Sequence, residues 1–422
     1  MVLTLIKNEL IKISKRGKTW IVFGMFILAM IGLIVVGKVS ANEAKHWHSP
    51  QGQIENIDRQ LKWQNEDLKN NEAHLKSLEN NKTKNKSEII STKEHITFAK
   101  EDIKRLKEDR KLQEKLVNAK TPDWREEVKT SIKNLNSEKE KAKREGNTDK
   151  KYLDNLNKQI DRNQYFLDNN LKPVEKWEFY PSNVAIQVMM ILGMAMLVAG
   201  IAVFMSDIIS GECTPATLKF LLVQPISRGK VILSKFVAIV ITVVMMICGS
   251  ELIAFGAVGA FTGFDAIKMP VELGLRYKVN QEILMKEGFK QLDVVANSGY
   301  NSTMGDFVLQ SFLLQILFVV ACCAFIFMIS SLFKSSMITM AVSVVISIAA
   351  VILPTVSKKI GEYAHLNFLN YGNTPGVISG DIAHIYANPN FTPGLGATLM
   401  VITIIVSYII AHVVFSKRDM LV

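Results

Sequence analysis

The sequence predicts an all-α membrane protein: six transmembrane helices plus an extracytoplasmic helical coiled-coil hairpin or bundle between spans one and two. Three observations carry this expectation. Charge is segregated, with 30 Lys/Arg and 26 Asp/Glu of the chain's 50 and 39 falling in residues 41–180. Elsewhere the chain holds six mostly apolar runs, matching the ~20 helical residues needed to cross a ~30 Å hydrocarbon core. Within the charged segment, apolar residues recur every seven positions, the period of helices that coil around one another.

Residues 1–18 precede the first span. At 100° per residue, Val2, Leu3, Leu5, Ile6, Leu10 and Ile13 gather on one side, while Lys7, Asn8, Lys12, Lys15 and Lys18 gather on the other. That pattern predicts a cytoplasmic amphipathic helix lying on the inner leaflet. It is also a basic flank of the kind that orients a span. The first span covers residues 19–39. Its basic flank and the Val39-Ser40-Ala41 end resemble a cleaved leader. The apolar run is longer than the usual 7–15 residues of such leaders, and it is read as a retained anchor.

Residues 41–180 form the predicted extracytoplasmic domain. Ile54, Leu61, Leu68 and Leu75 stand seven apart, and Ile89, Ile96 and Ile103 repeat the spacing. Ile57, Leu78, Ala99 and Leu106 occupy the companion positions, which Gln64, Asn71, Asn85 and Gln113 interrupt. After Thr121-Pro122, Ile132, Leu153, Ile160 and Leu167 fit one further frame. Breaks are predicted at Asn80–Lys86, Ala119–Asp123 and Glu145–Asp149. Two readings of this domain stand: a solvated spacer, or a stalk that gates substrate or binds a partner. Its net charge is only +4, with the signs interspersed, so the chain's +11 does not point to nucleic acid.

The five-span remainder occupies residues 184–422. Its spans are Val184–Met205, Val231–Phe261, Phe307–Leu332, Met337–Leu353 and Thr398–Phe415. Trp177, Phe179 and Tyr180 precede the first of them as an interfacial belt. The loops at 262–305 and 355–396 are predicted to be outer loops, and Val377–Ile385 is apolar enough for short re-entrant helices. Lys7 to Lys18, then Lys219, Arg228, Lys230 and Lys235, then Lys334, then Lys417 and Arg418 all fall on one side if both termini are cytoplasmic. The insertion is then outside.

Motifs of enzymatic chemistry are missing. Gly17-Lys18, Gly37-Lys38 and Gly229-Lys230 lack the rest of a phosphate-binding loop. No catalytic set, cofactor site or metal-ligand spacing is evident, and Cys213, Cys248, Cys322 and Cys323 read as small apolar residues. Glu251, inside the third span, is the most informative ionisable residue, because a carboxylate there costs about 2.5–3.5 kcal/mol on insertion scales. It and Gln310 are candidates for a translocation path. The structural alternatives for Glu251 are an internal hydrogen bond, for example with Ser250 or Gln315, or a place near a membrane edge.

Residues 207–235, DIISGECTPATLKFLLVQPISRGKVILSK, form a polar break between spans two and three. Thr214-Pro215 starts a helix, Leu218, Leu221 and Leu222 give it an apolar face, and Pro225 ends it. With six spans and an inner-leaflet helix, this segment resembles the type-2 ATP-binding-cassette permeases of bacteria. Their pattern is matched by Glu212, Thr217, Leu218, Leu221, Leu222, Pro225, Ile226, Ser227, Arg228 and Lys235, and departed from at Ala216, where Gly is common. The resemblance covers the six-span part and not the insertion. It implies a multi-pass protein of the bacterial cell membrane that exports an amphipathic substrate such as a peptide, an antimicrobial compound or a lipid-like molecule. It implies that ATP and Mg are bound by a separate ATPase subunit docked on 207–235, and that a second permease chain completes a homo- or heterodimer. Glu212, Thr217, Leu218, Leu221, Leu222, Pro225 and Arg228 would be the coupling residues. The alternative is a non-transporting receptor or scaffold whose coiled coil binds an envelope partner or an antibiotic.

Overall fold

A computed structural model describes residues 2–80, 86–117, 123–144, 150–210 and 227–417. The chain divides into two compact units. One comprises residues 38–134 and 175–178, and the other residues 1–37, 135–174 and 179–422. The boundary falls inside the charged insertion, whose residues 135–174 group with the spans.

The smaller unit is built on two antiparallel helices, α3 (Pro50–Asn80) and α4 (Lys86–Val117). Cross-helix ion pairs set their register: Lys93 with Glu79 at 2.9 Å, Lys100 with Glu72 at 2.9 Å, Arg110 with Asp58 at 2.6 Å. The sheltered side chains are those the seven-residue repeat selects. Ile57, Ile96, Ala99, Ile103 and Leu106 are buried, and Ile54, Leu61, Leu68, Leu75 and Leu78 are half-buried. The polar interruptions Gln64, Asn71 and Gln113 are half-buried in the same seam. Helices α5 (Trp124–Arg144) and α6 (Lys150–Asp168) follow, and the intervening segments 81–85, 118–122 and 145–149 lie outside the described residues.

In the larger unit, α1 (Val2–Ser14) leads directly into α2 (Gly17–His48). Thr19 Oγ1 donates to the Ile13 carbonyl at 2.7 Å and Trp20 Nε1 to that of Ser14 at 2.8 Å, which fixes the bend between them. Ile6, Leu10 and Ile13 pack into the main core, whereas Leu3 is exposed. The α1 face thus docks on the bundle, and α2 continues past the predicted end of the first span at Val39.

Among the described residues, five helices are long and apolar enough to cross a membrane. They are α2, α9 (Arg228–Thr262), α11 (Met304–Leu332), α12 (Ser336–Val356) and α16 (Pro393–Lys417). The expected second span is a broken helix. It consists of α7 (Pro181–Ile191), a π-helical turn at Leu192–Met196 and α8 (Leu197–Met205). The break has a tertiary cause. Gly193 and Gly372 abut backbone to backbone, and a Cβ on either would collide with the other's carbonyl oxygen. The widened turn accommodates that approach.

The segment 262–305 corrects the all-helical expectation locally. Strands β1 (Pro270–Leu273) and β4 (Tyr300–Thr303) pair antiparallel, as do β2 (Tyr277–Val279) and β3 (Leu292–Val294), with the short helix α10 (Gln281–Glu287) between β2 and β3. The segment 355–396 is compact rather than extended. It contains α13 (Lys358–Gly361), α14 (Thr374–Ser379) and α15 (Ile382–Ile385), and α14 is wholly buried. The two short helices fall where Val377–Ile385 suggested them. Asn373 caps α14 by accepting from Gly376 N at 3.0 Å. Helix α6 belongs to this side of the unit, with Lys158 Nζ on Glu272 at 2.6 Å and Tyr165 donating to the Lys268 carbonyl at 3.4 Å.

Candidate functional site

Of the predicted coupling residues, Glu212, Thr217, Leu218, Leu221, Leu222 and Pro225 lie outside the described residues, as does all of 211–226. The two flanks are described, and both are held tightly. On the incoming side, Asp207 accepts from Lys18 Nζ at 2.9 Å and lies 3.8 Å from Arg16. Two and three residues on, the backbone amides of Ile209 and Ser210 both donate to Ser330 Oγ of α11 at 3.3 Å. Ser210 Oγ donates to the Ser206 carbonyl at 2.6 Å, which tightens the turn leaving α8.

On the outgoing side, Arg228 opens α9, and its guanidinium donates to the Ser416 carbonyl at 3.2 Å. A cation there bonds a carbonyl in the last described turn of α16, where the helix dipole favours positive charge. One residue on, Gly229 faces the His412 ring so closely that a Cβ would stand 2.9 Å from it. Lys235 then turns inward to Glu9 of α1 at 2.9 Å, with 3% and 15% of the two side chains exposed. Lys235 was expected among the cations flanking the spans on the cytoplasmic side. Instead it is enclosed, because α1 covers this end of α9 and supplies a carboxylate. The N-terminal segment therefore holds both flanks, through Arg16 and Lys18 on one side and Glu9 on the other.

Glu251 faces the bundle interior. Gln315 Nε2 of α11 donates to its Oε1 at 2.7 Å, and the two residues are 8% and 1% exposed. The internal partner is thus one of the two considered for it, and Ser250 instead donates to the Ile247 carbonyl at 2.7 Å. Gln310 is not brought to Glu251. It stands five residues earlier on α11, on another face, and accepts from Tyr300 OH at 2.9 Å.

Sequence reasoning missed a third feature, the polar lining behind the π turn. Gly193, Gly372, Asn370, Asn373 and Tyr386 line a small cavity closed by Val351, Leu369, Ile382 and Ile385. Tyr386 donates to Asn370 Oδ1 at 3.3 Å, and Asn370 Nδ2 donates to the Ala364 carbonyl at 2.8 Å. The clustered Asn and Gly residues of 367–376 were its sequence signal.

Five apolar helices around a buried core, with both flanks of an inter-helical segment clamped to the bundle, define a multi-pass helical membrane protein. The family model described as "ABC-2 family transporter protein" matches residues 3–420, and the chain belongs to that family. The match runs through residues 41–180 as well, beyond the six-span part on which the resemblance rested. No curated protein matched the chain. The family is one of membrane components of transporters, and it carries this chain's membrane setting with it.

Proposed function

We propose that the chain is the membrane-spanning permease subunit of an ATP-driven exporter, worked by a separate ATPase docked on residues 207–235. The observation that supports this best is the double clamp. Asp207 is tied to Lys18 and Lys235 to Glu9, so force applied to 211–226 passes into α1, α8, α9 and α11 without slack. A tethered peg is what rigid-body coupling between two states requires. In this reading the peg is residues 214–222, Glu212 and Thr217 contact the ATPase, and Leu218, Leu221 and Leu222 fill its cleft. Pro225 ends the peg, and Arg228 fastens the exit to α16. ATP and Mg stay on the partner.

The same reading makes α7, the π turn and α8 one interrupted crossing, the second of six spans. Both termini are cytoplasmic, and residues 41–180 are extracytoplasmic, with α3 and α4 as a coiled coil. Two permease chains form the working unit in a bacterial cell membrane. The cargo is amphipathic, a peptide, an antimicrobial compound or a lipid-like molecule. Glu251 is a candidate for its path; Gln310 lies on a different face of α11 from Gln315, and its role in a path stands on sequence position alone.

The test is co-purification with a P-loop ATPase. Glu212→Ala, Leu218→Ala and Leu222→Ala together should abolish it while leaving the chain assembled. Arg228 is left intact in that test because it is bonded to the last described turn of α16. Undiminished ATPase binding by the triple variant would sink the docking assignment. The receptor reading keeps one supporting observation, that α3 and α4 belong to a unit of their own. Replacing residues 50–117 by a short linker separates the two: retained ATP-dependent export favours the permease with a spacer, and lost activity with intact membrane assembly favours the receptor.

A further inference from the structure

Glu251 and Gln315 share one buried hydrogen bond and leave one acceptor each without a partner. Gln315 Nε2 and Glu251 Oε1 already form one bond, at 2.7 Å. The other two atoms of the same groups, Glu251 Oε2 and Gln315 Oε1, are buried without a partner. Both are acceptors when the carboxyl is ionised. Two unpaired acceptors in low dielectric are costly, and an unpaired negative charge more so. Ser311, one turn earlier on α11, does not fill the gap, since its own hydroxyl is buried and unpartnered.

Among the described residues, no cation stands at this level. The elements packed most closely against α9 are α1, α7, α11 and α16. Helix α7 carries no titratable side chain. Lys7, Glu9, Lys12, Lys235 and the His412 and Lys417 of α16 are at the opposite end of α9, and the 16 residues from Lys235 to Glu251 span about 24 Å of helix. On α11, Asp306 is engaged at the other end by Ser302 and Thr303, and Cys322 and Cys323 lie two turns beyond Gln315. Cys248, one turn from Glu251 on α9, is an uncharged thiol donor at most.

We propose that the bundle contains a proton-binding site: Glu251 is a neutral acid whose Oε2–H donates to Gln315 Oε1, completing a two-bond acid–amide pair between α9 and α11. A carboxylic acid and a primary amide match in this way, each giving one hydrogen and accepting one. Removing the proton to an alkaline medium breaks the Oε2–H bond and leaves two acceptors facing each other. The pair is then a latch between α9 and α11 that protonation closes. The inference stands on the packing alone and does not depend on the transport reading.

The experiment is infrared difference spectroscopy on the full chain in lipid bilayers, stepped from neutral to alkaline pH. A carboxylic-acid C=O band should be present at neutral pH, move with carboxyl-13C glutamate labelling and with deuterium exchange, and disappear in alkali. Glu251→Gln should remove the band and keep both bonds as an amide–amide pair, so its melting temperature should match wild type at neutral pH and lose the wild-type fall in alkali. Gln315→Leu should shift the band rather than remove it, which serves if Glu251→Gln does not assemble. A labelled wild-type protein with no glutamate acid band at neutral pH, or a band unchanged in both variants, would overturn the proposal.

Discussion

Lys235 Nζ and Glu9 Oε1 meet at 2.9 Å, 226 residues apart in sequence, in a pair that is nearly closed to solvent. The pair turns the N-terminal amphipathic helix α1 into a bracket on α9, the second of the five long apolar helices among the described residues. Removing one member takes this partner from a buried charge, a loss of up to about 3–5 kcal/mol for a fully enclosed pair. Glu9→Ala and Lys235→Ala should therefore each lower the melting temperature of the purified protein markedly. The exchanged pair Glu9→Lys with Lys235→Glu should recover part of the loss. Additive losses, with no recovery in the exchange, would mean the two residues act separately.

Gly193 and Gly372 are held by contact between backbones rather than by side chains. Gly193→Ala or Gly372→Ala must force the π turn and the 368–379 segment apart, and overpacking of this kind costs about 1–3 kcal/mol or more. Gly200→Ala, on the next helical piece, meets nothing within 4 Å and serves as the control. Thermal unfolding should show losses at 193 and 372 and none at 200. Equal tolerance at all three would remove the contact as the reason for the break.

These pairs show what was legible in the sequence and what was not. The spans declared themselves by apolar length, and the hairpin seam by its period: Ile96, Ala99, Ile103 and Leu106 are buried where a seven-residue frame puts them. The π turn was not legible, because LGMAM reads as ordinary apolar helix and its cause, Gly372, is remote in sequence. The strands at 262–305 are three or four residues each, too short for alternation to register. Lys235 looked like a flanking charge because its partner lies at the far N-terminus. Glu251 was flagged by the cost of burying it, and Gln315 was one of two possible partners.

Tyr277 donates to Asp381 Oδ1 at 3.0 Å and so ties the strand segment to α15. Burial, reinforced by the Asp381 carboxylate, pushes its phenol up to about 12. A phenol titrates near 10 in an unfolded chain. The folded value is the higher one, so the stabilisation is complete below pH ~10 and is lost as pH rises through the folded value. Melting followed across that window should show a wild-type decline that Tyr277→Phe lacks. At neutral pH the same variant should lose about 1 kcal/mol with the bond. An alkaline decline that persists in Tyr277→Phe would assign it to another group.

The central claim is that the segment between Asp207 and Lys235 receives the ATPase. Its most direct test is a photo-crosslinking amino acid placed singly at Leu218 and, as a control, at Phe98 on the exposed side of α4. The account predicts a covalent adduct with a P-loop ATPase from position 218 and none from position 98. An ATPase adduct from 98 and none from 218 would contradict it.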